Sequence, residues 1–183
     1  MALSEDVVRI AAAAGEFASD GERVAGVVVA EPLGQRVYLC AFEAGQERSW
    51  LALDAEARPL RQRRLVREAA SLAALCEVAE ESAGGGDLEQ LRVRLAEIRE
   101  ADAPEGIEEA ESAAASLAET LAPEPRIASG AYLDELGAAS RRLEQALGGY
   151  DGGSPFAAAL RSAAPAVEEL TADVERSYKG PLE

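Results

Sequence analysis

The chain has 183 residues, with 34 acids against 18 bases, no histidine and a formal charge of −16. That length allows one well-buried core or two small subdomains, and an apolar content of 48% argues against wholesale disorder. The acidic balance argues against general nucleic-acid binding and against adsorption on an anionic membrane, because both depend on a basic surface.

In chain order, the opening "MALSEDVVRIAAAAGEFASD" carries Glu5, Asp6 and Arg9 among its apolar residues, so a signal peptide is not expected. Ser4 to Ser19 reads as a helix with Ser4 as N-cap and Val7, Ile10, Ala14 and Phe17 on one face. Three strand-like runs follow, "RVAGVVVA" (23–30), "QRVYLCAF" (35–42) and "RSWLALD" (48–54), separated by Pro- or Gly-bearing turns of hairpin length. In the second run Tyr38, Cys40 and Phe42 share one face and Val37, Leu39 and Ala41 the other. Such a nearly continuous apolar strand needs cover on both faces, and helices must supply it.

From Pro59 onward the pattern is helical. A long helix is expected from Pro59 to Ser82, stopped by "GGG" at 84–86, with Leu65, Ala69, Leu72, Cys76 and Ala79 on its apolar stripe. Further helices are expected from Asp87 to about Glu100, over 105–121, over 131–147 and over 155–178, with a proline-bearing linker at 122–130. Their stripes all alternate by three and four, as in bundle packing. The closing "SYKGPLE" reads as a loose tail, and its final Leu-Glu reads equally as a cloning remnant.

The fold class is therefore expected to be α+β: an N-terminal helix and three-stranded antiparallel meander (1–57), continuing into an acidic, Ala/Leu-rich bundle of about five helices (58–183), the two packed as one unit. No stretch approaches the ~18 apolar residues of a membrane span, and a cytoplasmic protein is expected.

The chemistry-bearing residues are few. Without histidine, Ser-His-Asp and Cys-His catalysis, His-containing zinc sites and the Glu-x-x-His di-iron signature are all excluded. Cys40 and Cys76 are too few for a four-cysteine site, and each reads as a small buried hydrophobe. No phosphate-cradling glycine motif of the GxxxxGK[ST] or GxGxxG type occurs, and "GGG" stands between two helices rather than after a strand. No catalytic residue, no metal site and no cofactor is expected. Trp50 and Tyr38 could line a small pocket beside the meander, although core packing explains them as well.

Two clusters remain. Glu77 and Glu80, with Glu97 and Glu100 on the next helix, have the i, i+3 spacing that places two carboxylates on one helical face. Two such faces meeting could hold Mg²⁺. The arrangement over residues 77–102 resembles the all-helical nucleotide pyrophosphohydrolases, with Asp102 out of register for that family's final acid. Paired glutamates are also what chance supplies in a chain this acidic, and solvated helix faces explain them.

The second cluster is "RPLRQRRLVRE" (58–68). Arg58, Arg61, Arg63, Arg64 and Arg67 gather where the expected helix begins, the end at which the macrodipole disfavours cations. One reading pairs them with the chain's own acids. The other makes them a docking site for a phosphate or for a carboxylate-rich partner, which Arg binds bidentately. The functional expectation is a non-enzymatic interaction or adaptor protein, with a protein partner or self-association. The alternative is a Mg²⁺-dependent nucleotide or phosphoester hydrolase using the four glutamates.

Overall fold

A computed structural model describes residues 2–83, 107–121, 126–146 and 155–183. The chain is α+β. Its elements are α1 (Ala2–Gly15), β1 (Arg23–Ala30), β2 (Val37–Ala44), β3 (Glu47–Leu53), α2 (Arg63–Ser82), α3 (Ile107–Leu121), β4 (Ile127–Ala128), α4 (Gly130–Ala146), α5 (Pro155–Arg161) and α6 (Ala164–Arg176). Close contacts divide it into two compact units. One comprises Met1–Leu75, Glu124–Gly130 and Pro165–Glu183; the other comprises Cys76–Pro123 and Ala131–Ala164.

In the first unit the expected meander forms, with β1–β2 and β2–β3 antiparallel. The β2–β3 turn has two residues, and its positive φ of 62° falls on Gly45 alone. That is the pattern of a type II′ turn, whose twist suits a hairpin. The sheet is nonetheless mixed rather than a plain meander. A fourth strand, β4, lies parallel to β1 and pairs Ile127 with Val29 and Ala128 with Ala30, giving the order β3-β2-β1-β4.

Both faces of the sheet are covered, as the unbroken apolar runs require. Tyr38, Cys40, Phe42, Leu51 and Leu53 share one face and pack with Ile10 and Ala14 of α1. Val24, Val27 and Val29 all join this cluster, although 24 and 27 have opposite parity on a regular strand. The register shift between Val24 and Gly26 reconciles them, because a bulge adds the one residue needed to return Val24 to the covered face. On the other face Val37, Leu39, Trp50 and Ala52 are buried too. Helix α6 is tied there by the Trp50 indole, which donates to Asp173 Oδ2 at 2.9 Å. The Ser71 and Thr171 hydroxyls link α2 to α6 at 3.5 Å.

The segment expected to be a loose tail is instead built into this unit. Trp50 N–H donates to Ser177 O at 2.9 Å and Lys179 N–H to Trp50 O at 2.7 Å, so the chain after α6 runs along the edge of β3. The Tyr178 hydroxyl donates to Leu60 O at 2.6 Å. The Lys179 ammonium caps the Phe42 ring at 4.9 Å and bonds the Glu22 carboxylate.

In the second unit, Leu117 and Leu121 of α3, Leu136 and Leu143 of α4, and Phe156 of α5 pack with Ala79 and Ala83. Small residues permit the close approach: a Cβ on Gly137 would stand only 3.2 Å from Phe156 Cε1. The single helix expected over 155–178 is in fact two, broken at Ser162 and Ala163. Pro165 has no N–H to donate and its ring crowds the carbonyl four residues earlier, so a continuous helix stops before it. The helix expected from Asp87 lies outside the described residues.

Glu22 shows how tightly the first unit holds its few charges. Its carboxylate accepts from Lys179, from Ser19 N–H at 2.8 Å and from Ser49 Oγ at 3.0 Å. The Lys179 bond, followed by the Ser19 amide, holds its pKa down to about 2, from an ordinary 4.5. A depressed carboxylate pKa adds stability that is fully present above the unfolded value and lost as pH falls through the folded one. Lys179→Met is therefore expected to cost about 1–2 kcal/mol at pH 7. The Glu22 share of that gap should be lost between pH 4.5 and about 2, where wild type loses the same interaction, leaving the contact with Phe42. Urea unfolding across this range checks it, and a pH-independent gap would count against the pair.

Candidate functional site

The arginine cluster does not lie on one helical turn. Asp54 N–H donates to Arg58 O at 3.0 Å and Leu60 N–H to Ala52 O at 2.8 Å. These bonds and the Leu53–Pro59 bridge fold residues 58–60 back along β3. That pairing keeps Pro59 and Leu60 extended, so α2 starts at Arg63 and not, as expected, at Pro59. The patch thus combines an extended stretch carrying Arg58 and Arg61 with a helical turn carrying Arg63, Arg64 and Arg67.

Each side chain has a different electrostatic setting. Arg58 bonds Asp54 Oδ2 at 3.0 Å and Glu56 Oε2 at 3.2 Å, and these acids, Asp54 first, raise its pKa. Arg61 Nη2 meets Glu183 Oε1 at 2.9 Å. Arg63 Nη1 and Arg67 Nε flank the same oxygen, Glu175 Oε1, at 3.7 and 3.6 Å. Those distances give Coulomb attraction without a hydrogen bond. Glu175 Oε1 is buried and accepts no hydrogen bond. Arg64 is exposed and forms no ion pair among the described residues. The four paired arginine side chains remain 53–72% exposed. Pairs this open to water add little to stability, because solvent screens them and holding two long side chains in place costs entropy.

The chain also supplies backbone to the patch. Glu183 N–H donates to Arg61 O at 2.7 Å and Arg63 N–H to Glu183 O at 3.0 Å. These are the two bonds one residue makes in a parallel pairing, here centred on Gln62. This seat gave no sequence signal, because its occupant lies in a stretch that reads as a tail.

The remaining candidates are less coherent. Glu77 is exposed, and Glu80 accepts a 2.9 Å bond from the Tyr132 hydroxyl. Glu97 and Glu100 lie outside the described residues. No cluster of three or more metal-ligating side chains occurs among the described residues. Tyr38 and Trp50 are both core residues, 1% and 5% exposed. Cys40 and Cys76 are buried free thiols, and burial pushes the Cys40 thiol up to about 12, far from a reactive thiolate.

Taken together, the sheet, helices and patch define an α+β protein with an exposed arginine surface beside its sheet. No helix among the described residues is long and apolar enough to cross a membrane. Compared with known protein families, curated proteins and solved structures, the chain matches none.

Proposed function

We propose that the chain is a non-enzymatic interaction module that docks a carboxylate-rich protein partner on Arg58, Arg61, Arg63, Arg64 and Arg67. One observation carries this reading. Five exposed guanidinium groups stand within ten positions of a chain of charge −16, and the helical three have no hydrogen-bonded acid partner among the described residues. Arg63 and Arg64 open a helix, where the macrodipole opposes cations by a few tenths of a kcal/mol each. Their rigid forks match planar carboxylates, and their exposed ion pairs are weak enough for a partner to replace. The fixed acid Glu175 orients Arg63 and Arg67 without using up their donors.

The test is binding of a labelled peptide rich in Asp and Glu, followed by fluorescence anisotropy. Arg61→Glu/Arg63→Glu/Arg64→Glu is expected to weaken binding at least about thirtyfold, at roughly 0.7 kcal/mol or more per reversed charge. Circular dichroism should remain native, since these residues are exposed. Equal affinity for the variant and wild type would remove the patch from the reading. Displacement by inorganic phosphate at low concentration would redirect it from a protein partner to a phosphate ligand.

A further inference from the structure

We infer that the segment Pro181–Glu183 is a displaceable internal occupant of the arginine patch, and that the partner it stands in for is an extended peptide with a glutamate at its seated position. This inference rests on the reading of the patch as a docking surface, and it adds the partner's conformation and a means of regulation.

The segment after α6 has a fixed base and a weakly held tip. At the base, Ser177 and Lys179 pair with both backbone groups of Trp50, Tyr178 is anchored through its hydroxyl on Leu60 O, and Lys179 is held by Glu22. Gly180 follows with φ +118°, a conformation that side-chain-bearing residues rarely adopt, and it redirects the chain toward the arginines. The tip then makes one parallel pairing, through Glu183 N–H to Arg61 O and Arg63 N–H to Glu183 O. Its ion pair among the described residues, Arg61 to Glu183 Oε1, has both side chains mostly exposed, at 60% and 70%.

That contact set is a recognition mode in miniature. Main-chain bonds to an extended stretch fix direction, and one carboxylate on a guanidinium reads the side chain. The seated residue enters among cations that outnumber it: Arg63, Arg64 and Arg67 follow on the next turn, and among the described residues only Glu175 stands opposite two of them. A longer acidic segment in the same register could extend its carboxylates over those three, which Glu183 alone does not satisfy. The tip therefore competes with a partner through the same atoms, and because its holds are few and exposed, a partner with more carboxylates displaces it. Gly180 supplies a pivot between the paired base and residues 181–183.

The test uses the full chain and a labelled peptide, Lys-Gly-Pro-Leu-Glu with an amidated end, so that one glutamate side chain is presented. Three proteins are compared by fluorescence anisotropy: wild type, Glu183→Arg, and Glu183→Arg combined with Arg63→Glu/Arg64→Glu. Glu183→Arg is expected to bind about tenfold tighter than wild type, because the carboxylate on Arg61 is replaced by a repelling cation and the two backbone bonds alone hold residue 183 in the seat. Adding the two reversals should lose that binding. Glu183→Gln, which keeps size and removes charge, should fall between wild type and Glu183→Arg. If wild type and Glu183→Arg bind equally while the reversals still abolish binding, the internal-occupant inference falls and the docking reading stands. If the reversals change nothing, the docking reading itself falls.

Discussion

Phe42→Ala is expected to remove about 3–5 kcal/mol of stability. Phe42 is fully buried at the centre of the sheet face that packs against α1, in contact with the cluster of Ile10, Ala14, Tyr38, Cys40 and Leu51. Alanine leaves a ring-sized void in a layer whose neighbours are held by strand pairing on both sides, so little collapse can refill it. It also takes away the ring beneath the Lys179 ammonium, 4.9 Å from its centroid. A cation–π contact of this kind adds about 0.5–2 kcal/mol, and loosening Lys179 weakens its hold on Glu22. Phe42→Leu keeps most of the volume and should cost much less, about 1–1.5 kcal/mol. Urea unfolding followed by far-ultraviolet circular dichroism measures both. A loss below 1 kcal/mol for the alanine variant would mean that this face does not organise the unit.

Trp50→Ala is expected to be comparably severe, at about 3–5 kcal/mol, for a different combination of reasons. Trp50 is 5% exposed on the opposite face of β3, and its indole N–H is the bond that ties Asp173 of α6 to the sheet. Its backbone pairs with Ser177 and Lys179, so a disturbance at position 50 reaches the base of the segment that carries Glu183. Trp50→Phe separates the parts. It keeps an aromatic body but loses the donor to Asp173, which should cost about 1–3 kcal/mol. If the two variants proved equally destabilised, the hydrogen bond rather than ring volume would be the main contribution. A native-like Trp50→Ala protein would contradict the placement of α6 altogether.

How much of this was legible in the sequence depended on how local each cause was. The three long strands were readable because β-branched and aromatic residues cluster in runs bounded by Gly and Pro, and the alternation in 37–42 correctly assigned its two faces. The strand β4 was not readable. Two residues, Ile127 and Ala128, carry no periodicity, and their pairing with β1 is a tertiary event inside what looks like a linker. Helix α2 starts later than local rules place it, for a related reason. Pro59 is a fair first helical residue by local rules, but Leu60 N–H is taken by Ala52 O, so strand pairing overrides the local preference. The break before α6 was in the sequence all along, in Pro165, but the apolar stripe of 156–178 runs straight through it. At the arginine patch, the residues were visible and their partners were not. Glu175 and Glu183 lie far along the chain, and only the return of α6 and the final segment to the sheet brings them beside Arg61, Arg63 and Arg67.

These pairs change what the patch means physically. Three of the arginines do not face only water: Arg63 and Arg67 stand beside Glu175, and the carboxylate that meets Arg61 arrives on an extended backbone. A surface arranged in this way already accommodates the chemistry assigned to its partner, whereas the glutamates at 77 and 80 show no such convergence among the described residues.

The most direct measurement of that assignment is a titration of the ¹⁵N-labelled full chain with an acidic peptide, followed by amide chemical shifts. The account predicts that perturbations concentrate at residues 58–67 and at 181–183, grow together with peptide concentration, and shrink as salt screens the exposed charges. Shifts that gather elsewhere, or none at peptide concentrations well above those of the patch, would contradict it.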